Sequence, residues 1–352
     1  MKIAVLVSGG VDSSVALALL QAAGYDVTAF YIKIWLEDEL SFLGNCPWEE
    51  DLAYVRTVCD QLHIPLEVVS LQREYWDRVV SYAIEEVKIG RTPNPDVLCN
   101  QQVKFGAFFD SIDSSFQKVA TGHYAQTGFD ASGVPFLKCA PDEIKDQTYF
   151  LAYLNADQLS RAMFPVGCYR KEEVREIARK FDLPNKERKD SQGICFLGKL
   201  SFEDFLAYHL GRQEGWLIEF ETDERVGKHQ GFWFYTVGQR KGIGLSGGPW
   251  YVVAKDVERN YVYISRSYHA ADKIRDSLYV TRCNWIGDSP VVGEKLFVKL
   301  RHGAYRHLAT VLERGDDGGI LIQLQGRDQG IAAGQFAVFY RDEWCLGGGV
   351  IR

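Results

Sequence analysis

Residues 8–14 combine two glycines with three serines in a way that suits a phosphate group. They follow the apolar run 2–7, which predicts a buried parallel strand, and they precede residues 15–20, which predict a helix. A small-residue turn between a strand and a helix leaves backbone N–H groups that an anion can approach closely. Neither G-x-x-x-x-G-K-[ST] nor G-x-G-x-x-G is present in this segment. It predicts a pyrophosphate site, and the alternative is a plain turn whose serines only cap the helix.

Two of the eight cysteines, Cys99 and Cys195, lie among polar and turn-forming residues rather than in an apolar pattern. A reactive cysteine needs exposure and a neighbouring group that favours the thiolate. Asp96 lies three residues before Cys99 and could exchange a proton with a bound substrate, although its charge opposes a thiolate. Each cysteine alone also fits a buried structural thiol. The sequence has no C-x-x-C and no histidine pair at zinc-ligand spacing, so we expect no metal site in the protein itself.

Predicted strands and helices alternate in the first half of the chain and would position these residues. The predicted strands are 2–7, 26–35, 66–69 and 118–122, and the predicted helices are 13–23, 49–62 and 73–90. This rhythm predicts an α/β fold with a doubly wound parallel sheet and a ligand at the carboxyl ends of the strands. The prolines at 93 and 95 predict a stiff exposed loop over 91–100, followed by a helix near 105–109.

The second half of the chain changes character. Residues 142–189 are charged and predict helix, whereas residues 213–263 are rich in glycine and aromatic residues with strand character. Short predicted strands then follow at 278–285, 295–300, 308–313, 319–324 and 335–340. Strands of this length and spacing predict a small antiparallel barrel.

Composition and charge limit the classes of function. A chain of 352 residues with 46% hydrophobic content predicts two or three globular domains. No apolar run could span a bilayer and no signal-peptide pattern is present, so we expect a cytoplasmic protein without a membrane partner. The net charge of −7 is uneven: residues 1–60 carry three Lys/Arg against nine Asp/Glu, and residues 161–190 carry nine against six. A local basic surface for nucleic acid therefore remains open.

Six motifs occur in an order that resembles a known family. They are SGGVDS at 8–13, NPDVLCN at 94–100, TGHY at 121–124, KDQTYFL at 145–151, DSQGICF at 190–196 and TVGQRKG at 236–242. The first is similar to the signature of the PP-loop ATP pyrophosphatases. The whole series resembles the MnmA-type tRNA-specific 2-thiouridylases from residue 3 to about residue 349. The resemblance implies a PP-loop ATP-binding catalytic domain at 1–200, a central tRNA-binding domain at 201–272 and a C-terminal β-barrel at 273–352.

The reaction that the resemblance implies is the transfer of sulfur to C2 of the wobble uridine, position 34, in tRNAs for Lys, Glu and Gln. ATP would activate the C2 oxygen as an adenylate and leave as AMP and pyrophosphate, with Mg²⁺ bound alongside it and Asp12 as an indirect ligand. A cysteine desulfurase or a relay of small carriers would supply the sulfur. Because C2 is out of reach in a stacked anticodon, the base must flip out.

Site residues carry over from the same resemblance. Asp96 would be the general acid/base, Cys195 would carry a persulfide, and Cys99 would be the partner thiol that ends each turnover in a Cys99–Cys195 disulfide. The expected ATP contacts are Leu6, Val7, Ser8, Gly9, Gly10, Val11, Asp12, Ser13, Ile32 and Gly122. The expected tRNA contacts are Asn94, Pro95, Asp96, His123, Lys145, Asp146, Gln147, Arg301, His302 and Gln335. Ile32 replaces the family's usual Met, and Arg301-His302-Gly303 replaces an Arg-Tyr-Arg pattern. The six other cysteines have no motif and are expected to be structural.

Two alternative functions belong to different classes. Another PP-loop enzyme, such as an amidating ligase or an argininosuccinate-type synthetase, would have no use for the cysteine pair. A non-enzymatic RNA-binding protein would use the barrel and the aromatic strands, but it would leave the 8–14 loop without a role.

Overall fold

The computed structural model describes residues 1–34, 48–189, 201–268, 270 and 275–352. Cys46 and the whole 190–196 motif, Cys195 included, lie outside these residues. No helix in the described ranges is long and apolar enough to cross a membrane.

The N-terminal part of the chain, up to residue 189, alternates strands and helices much as the sequence predicts. Its strands are β1 (Lys2–Leu6), β2 (Asp26–Lys33), β3 (Leu66–Ser70), β4 (Lys118–Ala120), β5 (Ala125–Phe129), β6 (Pro135–Cys139) and β7 (Ala162–Met163). Its helices are α1 (Val11–Ala22), α2 (Trp48–Leu62), α3 (Gln72–Tyr75, Trp76–Val80 and Ser81–Lys88), α4 (Pro95–Leu98, Cys99–Ala107 and Phe108–Ser111), α5 (Thr148–Leu151), α6 (Ala156–Arg161) and α7 (Lys171–Lys180). The prediction of helix over 142–189 is met only by the short α5, α6 and α7.

Five described strands form one parallel sheet in the order β3-β2-β1-β4-β7. The central strand β1 is buried on both faces, which explains its continuous apolar run. Ala4 and Leu6 pack with side chains of α3 and α4. Ile3 and Val5 pack on the other face with side chains of α1 and α2. The predicted α/β fold with helices on both faces of a parallel sheet is therefore confirmed.

Helix α4 corrects the prediction of an exposed loop over residues 91–100. Pro95 is the first residue of the helix, where its missing N–H costs nothing and its fixed φ suits helical geometry. Asn94 precedes it in an extended conformation. The helix then takes a π register over Cys99–Ala107, and Cys99 is buried in it. The loop is therefore only the segment 91–94.

A central domain and a barrel complete the chain. The central domain consists of α8 (Phe202–Leu210), β8 (Gly215–Glu219), β9 (Arg225–His229), β10 (Tyr251–Asp256) and β11 (Tyr261–Ser265). The barrel strands are β12 (Ser277–Trp285), β13 (Lys295–Lys299), β14 (His307–Arg314), β15 (Ile320–Leu324), β16 (Phe336–Arg341) and β17 (Trp344–Ile351). In the described part of the chain these six strands close on themselves, because β12 pairs with both β15 and β17. The predicted antiparallel barrel is confirmed, although β17 was not foreseen.

The hairpin β5–β6 joins the N-terminal domain to the barrel. Its strand β6 pairs with β17, with Lys138 opposite Trp344 and Leu137 opposite Cys345. The barrel sheet therefore continues into the N-terminal domain, and the two parts share one apolar cluster that includes Leu137, Tyr149 and Phe336.

Candidate active site

The turn between β1 and α1 has the shape that an anion requires. Gly9 has a φ of +76°, and a Cβ there would lie 2.7 Å from the carbonyl oxygen of Asp51. Gly122, at the end of β4, approaches the same turn so closely that a Cβ would lie 2.6 Å from the backbone N of Ser13. The Ser13 hydroxyl accepts from the N–H of Ser8 (3.2 Å) and donates to the carbonyl of Gly10 (3.1 Å). The turn and the start of α1 thus fit a phosphate group.

Two side chains that are distant in the sequence hold this turn in place by hydrogen bonds. Asn185 donates from Nδ2 to the Gly9 carbonyl (2.8 Å) and to the Ser14 hydroxyl (2.9 Å). Arg188 donates from Nη1 to the same carbonyl (3.0 Å) and pairs with Asp51 through Nη2. Sequence reasoning missed both residues, because the fold alone brings them to the turn.

Asp12 in the first turn of α1 is bound to two other side chains. Lys171 Nζ lies 2.7 and 2.9 Å from its carboxylate oxygens, and the Tyr124 hydroxyl donates to Oδ1 at 2.8 Å. Lys171 was also missed, and it places a cation beside the phosphate turn. No three His, Cys, Asp or Glu side chains come together as metal ligands among the described residues.

The loop before α4 is held by all three parts of the protein. The N–H of Thr92 donates to the carbonyl of Ala333 in the barrel (2.8 Å). Gln335 donates from Nε2 to the carbonyls of Thr92 (3.0 Å) and Pro93 (3.3 Å). The Thr92 hydroxyl also lies 3.4 Å from that of Thr236 in the central domain. These hydrogen bonds fix the loop immediately before Asn94 and Asp96, which belong to the candidate site.

Asp96 has a carboxylate oxygen with unused hydrogen-bonding capacity. Its Oδ1 is buried and has no hydrogen-bond partner among the described residues. A buried, unsatisfied acceptor is costly unless a ligand or a proton uses it. This atom is therefore suited to exchange a proton with a bound substrate.

Cys99 is buried three residues further along the same helix, in a segment predicted to be an exposed loop. Burial raises the pKa of its thiol to about 11, Lys104 opposes this rise, and Asp96 adds to it. The thiol is therefore protonated at neutral pH in this arrangement. Lys104 donates from Nζ to Oδ1 of Asn100 (3.0 Å), the residue next to Cys99 in the helix.

The segment 121–123 lies between the phosphate turn and Phe164, whose ring packs against His123 and against Phe105 of α4, with centroids 6.0 Å apart in each pair. Gly122 contacts Ser13, as described above, while the pKa of the neighbouring His123 is lowered well below its usual value by burial and then by Lys104. His123 is therefore neutral, and its Nδ1 lies 2.6 Å from the Thr121 hydroxyl. The phosphate turn and the Cys99 helix thus belong to one site.

Comparisons with known proteins agree with this geometry. Three family models match the chain: the tRNA methyl transferase HUP domain at residues 1–199, the tRNA methyl transferase PRC-barrel domain at 203–266 and the aminomethyltransferase beta-barrel domain at 275–351. The tRNA-specific 2-thiouridylase MnmA of Parabacteroides distasonis is 45% identical over 357 residues, which cover 100% of this chain and 99% of that protein. The MnmA 2 protein of Bacteroides fragilis is 46% identical over 357 residues and all of both chains. This chain belongs to the MnmA family.

One solved structure of a related chemistry shows only a weak likeness to the chain. A 4-thiouridine synthetase–RNA complex with bound ATP aligns with a TM-score of 0.35 and 13% identity, covering 60% of this chain and 50% of that one. A likeness at this level carries no argument about the site.

The remaining nucleotide contacts expected from the MnmA family lie around the same turn. Leu6 and Val7 are buried at the end of β1, and the Val7 N–H donates to the Phe30 carbonyl (2.9 Å). Ile32 is half-buried near the end of β2, the strand next to β1. Both segments therefore reach the carboxyl edge of the sheet, where the phosphate turn lies.

Two of the expected tRNA contacts have another role in the structure. The Asp146 side chain is only 1% exposed and is bound to Lys299 of the barrel, so it cannot touch RNA in this arrangement. The Gln335 amide is already bound to the loop before α4. Tertiary contacts that the sequence does not show occupy these polar groups, and the tRNA contacts expected of the two residues stay predictions.

The other expected tRNA contacts lie near the junction with the barrel. Lys145 is partly exposed, and Gln147 accepts from the N–H of Tyr124 (2.9 Å). Arg301 is 58% exposed and pairs with Asp328, which also lies 3.1 Å from His307 Nε2. The His302 ring stacks on Phe150 with centroids 4.7 Å apart. A half-exposed surface of basic and aromatic groups thus lies beside the site.

Proposed function

We propose that this protein is a tRNA-specific 2-thiouridylase that replaces the C2 oxygen of the wobble uridine, position 34, with sulfur at the expense of ATP. The observation that carries the proposal is that Gly122 packs against the phosphate turn, while the neighbouring His123 packs on Phe164, which in turn contacts the helix that bears Asp96 and Cys99. An activating site for ATP and a thiol site are therefore neighbours. The names of the MnmA relatives support the same reaction.

The chemistry needs both halves of the site. The C2 oxygen of uridine is a poor leaving group, so it must first attack the α-phosphorus of ATP and displace pyrophosphate. The backbone N–H groups at the start of α1, together with Lys171, offset the negative charge of the phosphates. Mg²⁺ would enter bound to those phosphates and neutralise part of their charge.

The sulfur step uses the acid/base and the two cysteines. A persulfide on Cys195 supplies the sulfur. Cys99 attacks the Cys195 Sγ while its thiol proton passes to the departing sulfur, so that hydrogen sulfide leaves and a Cys99–Cys195 disulfide forms. The hydrogen sulfide adds to C2, and AMP departs with the oxygen. Asp96 takes the proton from the incoming sulfur through its Oδ1. A thiol reductant must then reduce the disulfide before the next turnover.

The substrates and partners follow from this reaction. The tRNAs for Lys, Glu and Gln are the proposed substrates, and Lys145, Arg301 and His302 are the proposed contacts to their anticodon arms. The sulfur donor would be a cysteine desulfurase or a small carrier protein that it loads.

The test is to quantify 2-thiouridine by mass spectrometry of tRNA nucleosides after incubation with ATP, Mg²⁺ and a sulfur donor. We expect Cys195→Ala to abolish the product while tRNA affinity stays within about twofold of wild type. Cys168→Ala is the matched control, because Cys168 is an exposed cysteine outside the motifs, and it should thiolate normally. Undiminished thiolation by Cys195→Ala would refute the persulfide role. Release of AMP without any tRNA would favour a small-molecule ligase instead.

A further inference from the structure

An ion pair between Asp146 and Lys299 is buried where the catalytic domain meets the barrel. Lys299 Nζ lies 2.7 Å from Asp146 Oδ2, and each side chain is 1% exposed. The Thr148 hydroxyl lies 3.0 and 2.9 Å from the two carboxylate oxygens, and the Ala140 N–H donates to Oδ1 at 3.2 Å. The buried carboxylate therefore has three hydrogen-bond partners: Lys299, Thr148 and the Ala140 N–H.

Stability alone is a weak reason for such a pair. Removing two charges from water is costly, and apolar residues of similar volume often stabilise a protein as well or better. Tyr340 packs against Lys299 with its ring centroid 5.4 Å from Nζ, so an apolar side chain at position 299 would also contact this ring. We therefore look for the role of this ion pair in the segments that it holds together.

Each partner adjoins a segment that faces the proposed RNA surface. Asp146 lies between Lys145 and Gln147, while Lys299 ends β13 two residues before Arg301. His302, next to Arg301, stacks on Phe150, and its ring hydrogen-bonds to the Asp146 backbone. The two segments come from different domains and meet at this ion pair.

We propose that the Asp146–Lys299 pair is a positioning device that sets the spacing between segment 145–147 and segment 301–302, so that both contact one tRNA. The proposal rests on the proposed function, because it requires that the protein binds tRNA. A directional charge pair with two further hydrogen bonds tolerates only one relative position of the domains, whereas an apolar contact allows sliding. Asp146 and Lys299 themselves do not touch the RNA.

The experiment compares Asp146→Asn, Lys299→Met and the double variant by thermal unfolding and by tRNA binding over a range of salt, without ATP or sulfur donor. Each single variant should lower the Tm by about 6 °C or more, because one buried charge loses its partner. The double variant should return to within about 2 °C of the wild-type Tm. Its Kd for tRNA should nevertheless remain about tenfold weaker, and the slope of log Kd against log[salt] should lose about one unit because Arg301 no longer reaches a phosphate.

Glu294→Gln/Arg341→Met is the matched control. It removes one charge of each sign from an ion pair within the barrel, with Arg341 Nε 2.6 Å from Glu294 Oε1, and it should leave the Kd and the salt slope at wild-type values. A double Asp146/Lys299 variant that recovers both Tm and tRNA affinity would show that the pair only stabilises the fold. Failure of the wild-type protein to bind tRNA would instead refute the proposed function, so the two failures are distinguishable.

Discussion

Asp96 and Cys99 lie in one helical turn, but their surroundings affect the two side chains differently. Asp96 Oδ1 has no hydrogen-bond partner among the described residues, so this oxygen is available to accept a proton from a bound substrate. Cys99 is kept as a neutral thiol, because burial and the Asp96 charge both raise its pKa while Lys104 only partly offsets them. A thiol held in this way does not react with solutes until something lowers its pKa or removes its proton.

The raised pKa of Cys99 predicts how its alkylation depends on pH. Because the thiolate is the nucleophile and the pKa is about 11, the alkylation rate should rise about tenfold for each pH unit between pH 7 and 10. Lys104→Met should slow the reaction at every pH, since it removes the cation that lowers the pKa. The measurement is iodoacetamide labelling followed by mass spectrometry of the Cys99 peptide. A rate that levels off between pH 8 and 9 would contradict the burial argument.

At the scale of elements, strands and turns that depend on neighbouring residues could be predicted from the sequence. Contacts between strands that are distant in the sequence could not. The apolar run of β1 and the glycines after it predicted a strand and a phosphate turn, because both depend on neighbours in sequence. Pro95 misled the prediction, since it begins α4 instead of interrupting it.

Strand β17 was missed for a physical reason. It contains Gly347, Gly348 and Gly349, and glycine is rare in strands. A Cβ at Gly347 would lie 2.1 Å from the Asn284 carbonyl oxygen of β12. The glycines allow β12 and β17 to approach and close the barrel, a requirement that no local pattern reveals.

The supporting residues of the site were equally invisible in the sequence. Lys171 lies 159 positions from Asp12, and Asn185 lies 176 positions from Gly9. Neither belongs to a motif, and each acquires its role only when α7 and the segment after it fold against α1. Sequence reasoning therefore found the residues that we propose to meet the ligand but missed those that hold them in place.

The loop before α4 gives a prediction about Gln335. Because its amide binds the Thr92 and Pro93 carbonyls, we expect Gln335→Ala to misplace Asp96 rather than to remove an RNA contact. The kcat for thiolation should fall about tenfold while the Kd for tRNA stays within about twofold. Single-turnover thiolation and equilibrium tRNA binding measure the two effects. Gln325→Ala, in the same barrel but away from the loop, is the control. A Kd that weakens tenfold with unchanged kcat would show that Gln335 contacts tRNA directly.

On the scale of the whole molecule, the barrel is built into the catalytic domain. The β6–β17 pairing continues the barrel sheet into the hairpin, the Asp146–Lys299 pair crosses the same junction, and Gln335 reaches the loop before α4. Leu137 of β6 is fully buried in a cluster that contains catalytic-domain Tyr149 and barrel Phe336. Because apolar burial and hydrogen bonds are shared across this junction, neither part can lose its structure without exposing the other.

Leu137→Ala should therefore destabilise both parts together. Truncating a fully buried leucine costs about 2–5 kcal/mol, and the cavity would lie at the shared cluster. In hydrogen exchange read by mass spectrometry at increasing urea, the peptides of β1 and of β13 should lose protection at the same lower urea concentration. Leu312→Ala, at a side chain that is 42% exposed on β14, should leave both midpoints within about 0.5 kcal/mol of wild type. Separate midpoints for β1 and β13 in the Leu137 variant would mean that the barrel unfolds independently of the N-terminal domain, and that the hairpin does not couple their stabilities.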